Sequence, residues 1–264
     1  MIFFYYRTKM NRRTFGKALA VMMGAVAFCP EALAAQKDIT LDVYIDKIKG
    51  DALSASYYKK DHGVFKPIFD KVVDFYSEYF SMGINYRQGK VDEKLIKKNQ
   101  IAFQYTTLNS LLNEPRKMIY SFGGKELIDE LESEIQRAIK EQNWTYKQAE
   151  SEIFGYMNRV LKQAVSGEGG FGSRIVNRAW MFPSKTHNEK AESAEELINA
   201  YAFVAVHEIG HALGLDHPKG QGFYSEFGQN NFMNPKQRFR DVLDFNLTFH
   251  HKQAENIRER LDLK

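Results

Sequence analysis

Three histidines in an eleven-residue window could bind a metal ion. Residues 207–217 read HEIGHALGLDH, with histidines at positions 207, 211 and 217. His207 and His211 are four residues apart, so a helix places both imidazoles on one face, one turn apart. Two imidazoles in this arrangement can bind a single zinc ion. The spacing therefore predicts a zinc site.

The residues around this pair indicate what the zinc would do. Gly214 is expected to end the helix, because glycine tolerates the left-handed conformation that turns the chain. The turn would bring His217 back as the third ligand, with Asp216 as an alternative oxygen ligand. Three imidazoles leave a fourth position for water, which is typical of catalytic rather than structural zinc. Glu208 lies beside the first ligand and could reach that water.

The segment resembles the zinc signature of the metzincins, H-E-x-x-H-x-x-G-x-x-H. Metzincins have a methionine in a tight turn beneath the metal, and NNFMNP supplies Met233 here, with Pro235 two residues further on. The Met-Asn-Pro form is similar to the turn of the matrixins, the matrix-metalloproteinase-like branch. Residues 199–218 are similar to the matrixin active-site helix. The resemblance covers residues 170–264 well and 39–106 loosely.

This resemblance implies an α+β fold and a peptidase. The expected domain is metzincin-like (zincin-like), with a twisted mixed sheet, an active-site helix, a C-terminal helix and a helical insertion. The expected activity is that of a zinc-dependent endopeptidase acting on proteins or peptides, with Zn²⁺ on the three histidines and Glu208 as general base. Residues 174–183, RIVNRAWMFP, are similar to the edge strand that binds the substrate.

The chain also departs from the matrixin pattern. No histidine lies between Gly170 and Phe182, so a second, structural zinc is not expected. Pro218 replaces the small hydroxyl residue that matrixins usually have. The only cysteine, Cys29, lies in the N-terminal segment, so a cysteine that blocks the zinc is excluded. We therefore hypothesise that the protein either has a strict substrate specificity or has its cleft covered by residues 36–61.

Two other functions use the same residues. A zinc amidase that acts on cell-wall peptides would have the same ligands and the same base. A catalytically silent zinc-binding module is the other alternative, although the intact Glu208 argues against it. A peptide library and cell-wall fragments, offered side by side, would distinguish these functions.

Hydrophobic periodicity predicts the elements that must position the histidines. Apolar residues at helical spacing predict a helix over 65–80, two helices within the insertion at about 125–165, and the active-site helix over 194–213. The glycine-rich stretch at 167–172 is interpreted as a turn, and 184–193 as a linker. The predicted strands are residues 39–46, 84–87, 101–106 and 174–182.

The N-terminus has the features of an export signal. A basic stretch precedes an apolar run of 11 residues at 18–28, which is too short to span a membrane, and small residues follow at 32–34. Arg12 and Arg13 resemble a twin-arginine motif, with an ordinary secretory signal as the alternative. We therefore expect a signal peptide at residues 1–34 and one domain at 35–264, exported to the periplasm or secreted. The start codon could be Met1 or Met10.

Composition limits the partners that the protein could have. The chain has 264 residues, of which 44% are hydrophobic and 27% charged, as in globular proteins. Five of its 37 basic residues and one of its 33 acids lie in the first 34 residues, so the remainder is neutral. A neutral domain gives no support for nucleic-acid binding. Once the signal is removed, no membrane anchor is expected, and the oligomeric state is left open.

Overall fold

The protein is built on one five-stranded mixed sheet. The computed structural model describes residues 37–91, 96–165, 169–219, 225–235 and 239–263. Its strands are β1 (Ile39–Ile45), β2 (Met82–Arg87), β3 (Gln100–Tyr105), β4 (Gly170–Ser173) and β5 (Arg178–Met181). They lie in the order β2-β1-β3-β5-β4. All neighbours are parallel except β4, which pairs with β5 in the antiparallel direction at the edge of the sheet.

Nine helices are present in the part of the chain that the structure describes, besides a short 3-10 turn at Lys60–His62. They are α1 (Ala52–Tyr57), α2 (Phe65–Tyr76), α3 (Leu108–Leu112), α4 (Pro115–Gln142), α5 (Tyr146–Val165), α6 (Lys185–Lys190), α7 (Ala194–Ala212), α8 (Phe239–Leu243) and α9 (His251–Leu261). None of them is sufficiently long and apolar to cross a membrane. The predicted α+β class, with an active-site helix and a C-terminal helix, is confirmed.

The main core lies between one face of the sheet and helices α2 and α7. Alternate residues of β1, including Leu41 and Val43, are fully buried in it. The buried Tyr76 of α2 donates a hydrogen bond from its hydroxyl to the carbonyl oxygen of Val206, 2.9 Å away in α7. This bond fixes the active-site helix on the helix beside it, one residue before the first histidine.

The strand predicted at 174–182 differs from the structure in two ways. Residues 174–177 form a turn, in which Asn177 has a positive φ of 49°, so the strand begins only at Arg178. This strand, β5, is also internal, because β4 covers its outer side. The edge strand is therefore Gly170–Ser173, part of the glycine-rich stretch that we interpreted as a turn. Residues 166–168 of that stretch lie outside the described part.

The helical insertion has a small core of its own. Helix α4 begins at Pro115, ten residues before the predicted start, and bends at Gly124, whose φ of 66° is not helical. The part after the bend begins at Lys125, where the sequence predicted the first helix. Ile135, Ala149 and Phe154 are among the buried residues that hold α4 and α5 together. The predicted pair of helices is thus present, with an additional N-terminal arm.

Two further expectations are wrong. Residues 36–61 cannot be a detachable cover, because they include β1, which is paired on both sides at the centre of the sheet. Residues 184–193 are not simply a linker, since they contain α6, capped by the Ser184 hydroxyl, which accepts a hydrogen bond from the His187 backbone N–H. The predicted signal peptide at 1–34 lies outside the described residues.

Helix α6 leads to a prediction about acid stability. Burial, followed by the charge of Lys190, lowers the pKa of His187 from 6.5 to about 4. The folded state therefore keeps this histidine neutral, whereas the unfolded chain binds a proton near pH 6.5. Its contribution to stability is complete above that pH and is lost as the pH falls towards about 4.

We expect His187→Gln to reduce this pH dependence. Between about pH 7 and about pH 5, its free energy of unfolding should fall by roughly 2 kcal/mol less than that of the wild type. Urea unfolding at several pH values measures the difference, with His251→Gln, which replaces an exposed histidine, as the control. Equal slopes for wild type and His187→Gln would contradict the prediction.

Candidate active site

The helix that carries the first two histidines is fixed at both ends. At its N-terminus, the Ser193 hydroxyl accepts a hydrogen bond from the backbone N–H of Glu196, 3.1 Å away. At its C-terminus, Gly214 has a φ of 94°, the left-handed conformation in which glycine is favoured. The backbone N–H of Leu215 then donates to the carbonyl oxygen of Gly210 at 2.9 Å. Gly214 thus ends the helix as predicted and turns the chain towards His217.

The three histidines point their Nε2 atoms at one position. The distances between these atoms are 3.2 Å for His207–His211, 3.1 Å for His211–His217 and 3.2 Å for His207–His217. Two imidazoles bound tetrahedrally to one zinc ion, each at about 2.05 Å, would have their nitrogens about 3.3 Å apart. The spacing of the Nε2 atoms therefore fits Zn²⁺.

The partners of the Nδ1 atoms indicate that the short distances between the Nε2 atoms are not ordinary hydrogen bonds. Nδ1 of His207 lies 2.8 Å from the carbonyl oxygen of Phe232, and Nδ1 of His211 lies 2.8 Å from that of Leu215. Since a carbonyl only accepts, both Nδ1 atoms carry the proton and both Nε2 atoms present lone pairs. Two lone pairs 3.2 Å apart repel each other unless a cation lies between them. The donor set therefore suits a metal ion.

Burial keeps the first two histidines in the form that binds metal. The pKa of His207 is lowered to about 3, mainly by burial and then by the neighbouring His211. The pKa of His211 is lowered to about 4, again mainly by burial. Both imidazoles are consequently neutral at pH 7, as metal ligation requires.

Asp216 is poorly placed to be the third ligand. Its side chain is 84% exposed and lies 3.6 Å from the guanidinium of Arg174. Among the described residues, the ligand atoms that converge belong to the three histidines alone. The geometry therefore favours His217 over Asp216.

Met233 lies in a buried turn beneath the active-site helix. It is fully buried, and its backbone N–H donates to Asn231 Oδ1 at 3.1 Å. A Cβ atom on Gly210 would lie 2.4 Å from the sulfur of Met233, so only glycine allows this contact between the helix and the turn. The segment supports the helix from below, in the place that the resemblance to the metzincins predicts.

The C-terminal helix is hydrogen-bonded to the end of the active-site helix. Arg260 of α9 donates to the carbonyl oxygen of Ala212, to that of Arg174 at 2.6 Å, and to Asn177 Oδ1 at 2.7 Å. The guanidinium thus binds a terminal carbonyl of α7 and the turn between β4 and β5 together. Sequence reasoning missed Arg260, because nothing in the spacing relates it to residues some 50 or 85 positions away.

Glu208 lies beneath the edge strand. It is 6% exposed, and a Cβ atom on Gly170 would lie 2.6 Å from its Cγ. A Cβ atom on Gly172 would lie 2.1 Å from the backbone carbonyl oxygen of Glu208 and 2.7 Å from His211 Cβ. The two glycines therefore bring β4 into direct contact with the helix, immediately above the proposed base and the second histidine.

The same two glycines lie at an edge of the sheet with which no other described strand pairs. The backbone N–H of Phe182 donates to the carbonyl oxygen of Gly169, which makes these two residues a hydrogen-bonded pair. In an antiparallel ladder, hydrogen-bonded and non-bonded pairs alternate. Gly170 and Gly172 therefore belong to non-bonded pairs, and their N–H and C=O groups point away from β5. An extended peptide could pair with these groups.

The helical insertion packs against the edge strand β4 on the face of the sheet opposite to α7. Phe171 of β4 stacks between Phe122 of α4 and Trp180 of β5, with ring centroids 4.2 Å and 5.3 Å apart. The hydroxyl of Ser173 donates to the carbonyl oxygen of Ser121 in α4, 2.6 Å away. The insertion thus holds the strand that would bind the substrate, which its sequence did not indicate.

Removing this packing contact should weaken substrate binding more than catalysis. We expect Phe122→Ala to raise KM about tenfold and to change kcat less than threefold, because β4 loses its stacking partner while the histidines keep theirs. Phe122→Tyr should restore KM, since a tyrosine ring can stack in the same way. Steady-state cleavage of a peptide measures both constants. A fall in kcat at unchanged KM would show that the insertion acts on the metal centre instead.

Comparison with known proteins relates this site to one family. Residues 128–236, less than half of the chain, match the family model of the matrixins, and they contain the three histidines, Glu208 and Met233. A structure search also matched a zinc-dependent peptidase from Methanocorpusculum labreanum (strain Z), which is 12% identical, with a TM-score of 0.38 and coverage of 82% of this chain and 99% of that one. No curated protein sequence is significantly similar. The chain is therefore similar to the matrixins over the part that holds its candidate active site.

Proposed function

We propose that this protein is a zinc-dependent endopeptidase that hydrolyses peptide bonds in protein or peptide substrates. The observation that carries the proposal is the convergence of the His207, His211 and His217 imidazoles beside a buried glutamate, directly below a strand edge with which no described strand pairs. The match to the matrixin model supports a zinc-dependent peptidase in general. The endopeptidase activity and the individual roles below are our proposal.

The proposed reaction needs residues that bind the metal and a residue that transfers a proton. His207, His211 and His217 would hold Zn²⁺. When bound, zinc would polarise the scissile carbonyl and lower the pKa of a water molecule to about 7. Glu208 would accept the proton of that water and pass it to the leaving amine. Its burial under Gly170 would keep its carboxylate oriented, because the strand leaves little room for another conformation.

The substrate would bind as an additional strand. An extended peptide would pair with the outward N–H and C=O groups of Gly170 and Gly172. Because this edge is short and no described element pairs with it, the substrate chain could continue beyond it in both directions. Such binding favours cleavage within a chain over removal of a terminal residue.

The proposed location is outside the cytoplasm, periplasmic or secreted, and it depends on the basic and apolar pattern of the first 34 residues. A zinc amidase acting on cell-wall peptides stays as a second candidate, since its donors and base would be the same. Side-chain preference would be set partly by the loop between His217 and Met233, of which residues 220–224 lie outside the described part.

Zinc content and cleavage products test the proposal together. The purified protein should contain about one zinc per chain and cut internal bonds of casein and of a peptide library, as identified by mass spectrometry. A chelator should abolish cleavage, and zinc should restore it. Cleavage of cell-wall fragments alone would indicate the amidase, and bound zinc without any cleavage would indicate the silent module. A protein that binds no zinc would refute the proposal.

A further inference from the structure

A polar cavity of about 260 Å³ lies on the face of the sheet away from α7. Gln104 of β3 and Arg178 and Trp180 of β5 line it, together with Asp46, which follows β1 directly. The first turns of α4 form its opposite wall. The cavity is separate from the three histidines, because the residues that alternate with Arg178 and Trp180 along β5 pack in the main core with α7.

The floor of the cavity carries three polar groups in a row. Gln104 Nε2 donates to Asp46 Oδ2 at 3.1 Å, and Arg178 Nη2 donates to Gln104 Oε1 at 2.7 Å. The guanidinium of Arg178 also lies 4.6 Å from the centre of the Trp180 ring. A carboxylate, an amide and a guanidinium therefore follow one another, and the residue that carries the guanidinium is only 9% exposed. A guanidinium held in this way suits the planar recognition of a carboxylate.

Thr106, which also lines the cavity, adds an independent observation. It is 2% exposed, and its Oγ1 has no hydrogen-bond partner among the residues that the structure describes. Buried hydroxyls in folded proteins nearly always have a partner. This hydroxyl could therefore bond to a ligand atom within the cavity.

The charges decide what kind of ligand fits. At the mouth, Lys117 lies 2.6 Å from Glu114, so this pair is neutral as a whole, and the exposed Lys90 lies beside it. Among the residues that the structure describes, the charged groups of the floor are Asp46 and Arg178, of opposite sign. A simple anion would face the carboxylate of Asp46, and a simple cation would face Arg178. A small zwitterion satisfies both.

We infer that this cavity binds a small zwitterion with a free amino group and a free carboxylate, that is, an amino acid or a dipeptide. The ligand carboxylate binds to Arg178 and to the hydroxyl of Thr106, and the ammonium group binds to Asp46. In a dipeptide, the amide between the two charged ends lies along Gln104. The inference goes beyond the proposed peptidase activity and does not depend on it.

Tryptophan fluorescence provides a direct binding assay. The chain has two tryptophans, so the full-length Trp144→Phe variant leaves Trp180, which lines the cavity, as the only one. Titration with alanine and with alanylalanine should give a saturable change in emission for at least one of them. The tighter of the two identifies the ligand length. Acetate and ethylamine, which carry one charge each, should bind at least tenfold more weakly.

Two variants locate the binding to this cavity. In the Trp144→Phe background, Thr106→Val should weaken binding roughly tenfold, because one hydrogen bond to the ligand is lost. The same change should raise the melting temperature of the free protein, since a buried hydroxyl without a partner is removed. Arg178→Lys, which keeps the charge but not the planar fork, should weaken binding further. The absence of a saturable signal with both zwitterions, equal binding of acetate, or unchanged binding by Thr106→Val would overturn the inference.

Discussion

Glu208→Gln is expected to reduce kcat for peptide cleavage by about 10²- to 10⁴-fold while leaving the zinc content unchanged. The loss follows from the removal of the group that accepts the proton of the attacking water, and positioned general bases contribute rate factors of this size. The zinc should stay, because the three converging Nε2 atoms belong to His207, His211 and His217. Glutamine has the shape of glutamate, so the packing under Gly170 should be preserved.

The measurement combines three readouts on the same preparation. Zinc per chain, the free energy of unfolding and steady-state cleavage are compared between wild type and variant. Glu195→Gln is a matched control, since it makes the same change at an exposed position in the first turn of the same helix, and it should leave all three values unaltered. A Glu208→Gln variant that holds zinc and cleaves at the wild-type rate would assign the proton transfer to another group. A variant that loses zinc would show that Glu208 supports the metal site itself.

The local part of the active site could be predicted from the sequence because its geometry is local. Three histidines within eleven residues, a glycine that must stop the helix and a base next to the first ligand depend on one helix and one turn. The structure brings the three Nε2 atoms together through that helix and turn. The α+β class and most of the predicted helices follow from apolar periodicity in the same way. The roles of these residues in catalysis are still predictions.

The rest of the active site depends on contacts between residues far apart in sequence. A run of glycines has no apolar pattern, so the sequence favoured a turn where β4 forms. The structural reason is that Gly170 and Gly172 lie against α7 with no room for a side chain, and only the folded sheet shows this. The hydrogen bonds of Arg260 and the stacking of Phe122 are likewise absent from any periodicity. The prediction that the strand at 174–182 is the edge strand was wrong for the same reason, since the edge is set by the strand that covers β5.

The close contact at Gly172 leads to the second large expected effect. In Gly172→Ala, the new methyl carbon would lie 2.1 Å from the backbone carbonyl oxygen of Glu208 and 2.7 Å from His211 Cβ. A backbone carbonyl in a helix cannot rotate away, so either β4 or α7 must shift. We expect the free energy of unfolding to fall by about 1–3 kcal/mol, as for other overpacked sites. Zinc affinity should fall at least tenfold, because a shift of His211 by even a fraction of an ångström disturbs the ligand geometry.

Gly155→Ala is the matched control, because it adds the same methyl group at a position without close neighbouring atoms. Gly155 lies within α5, and the nearest atom to its added Cβ is the end of the flexible Arg159 side chain, 3.7 Å away. Since alanine favours helix more than glycine does, this variant should be stabilised by about 0.5–1 kcal/mol, with unchanged zinc affinity. Urea unfolding with and without a chelator, together with competition for zinc by a chromogenic chelator, separates the effect on stability from the effect on zinc affinity.

If Gly172→Ala proved as stable as the wild type and bound zinc equally well, the edge strand could not be closely packed on the active-site helix. The substrate would then have to bind along a different edge.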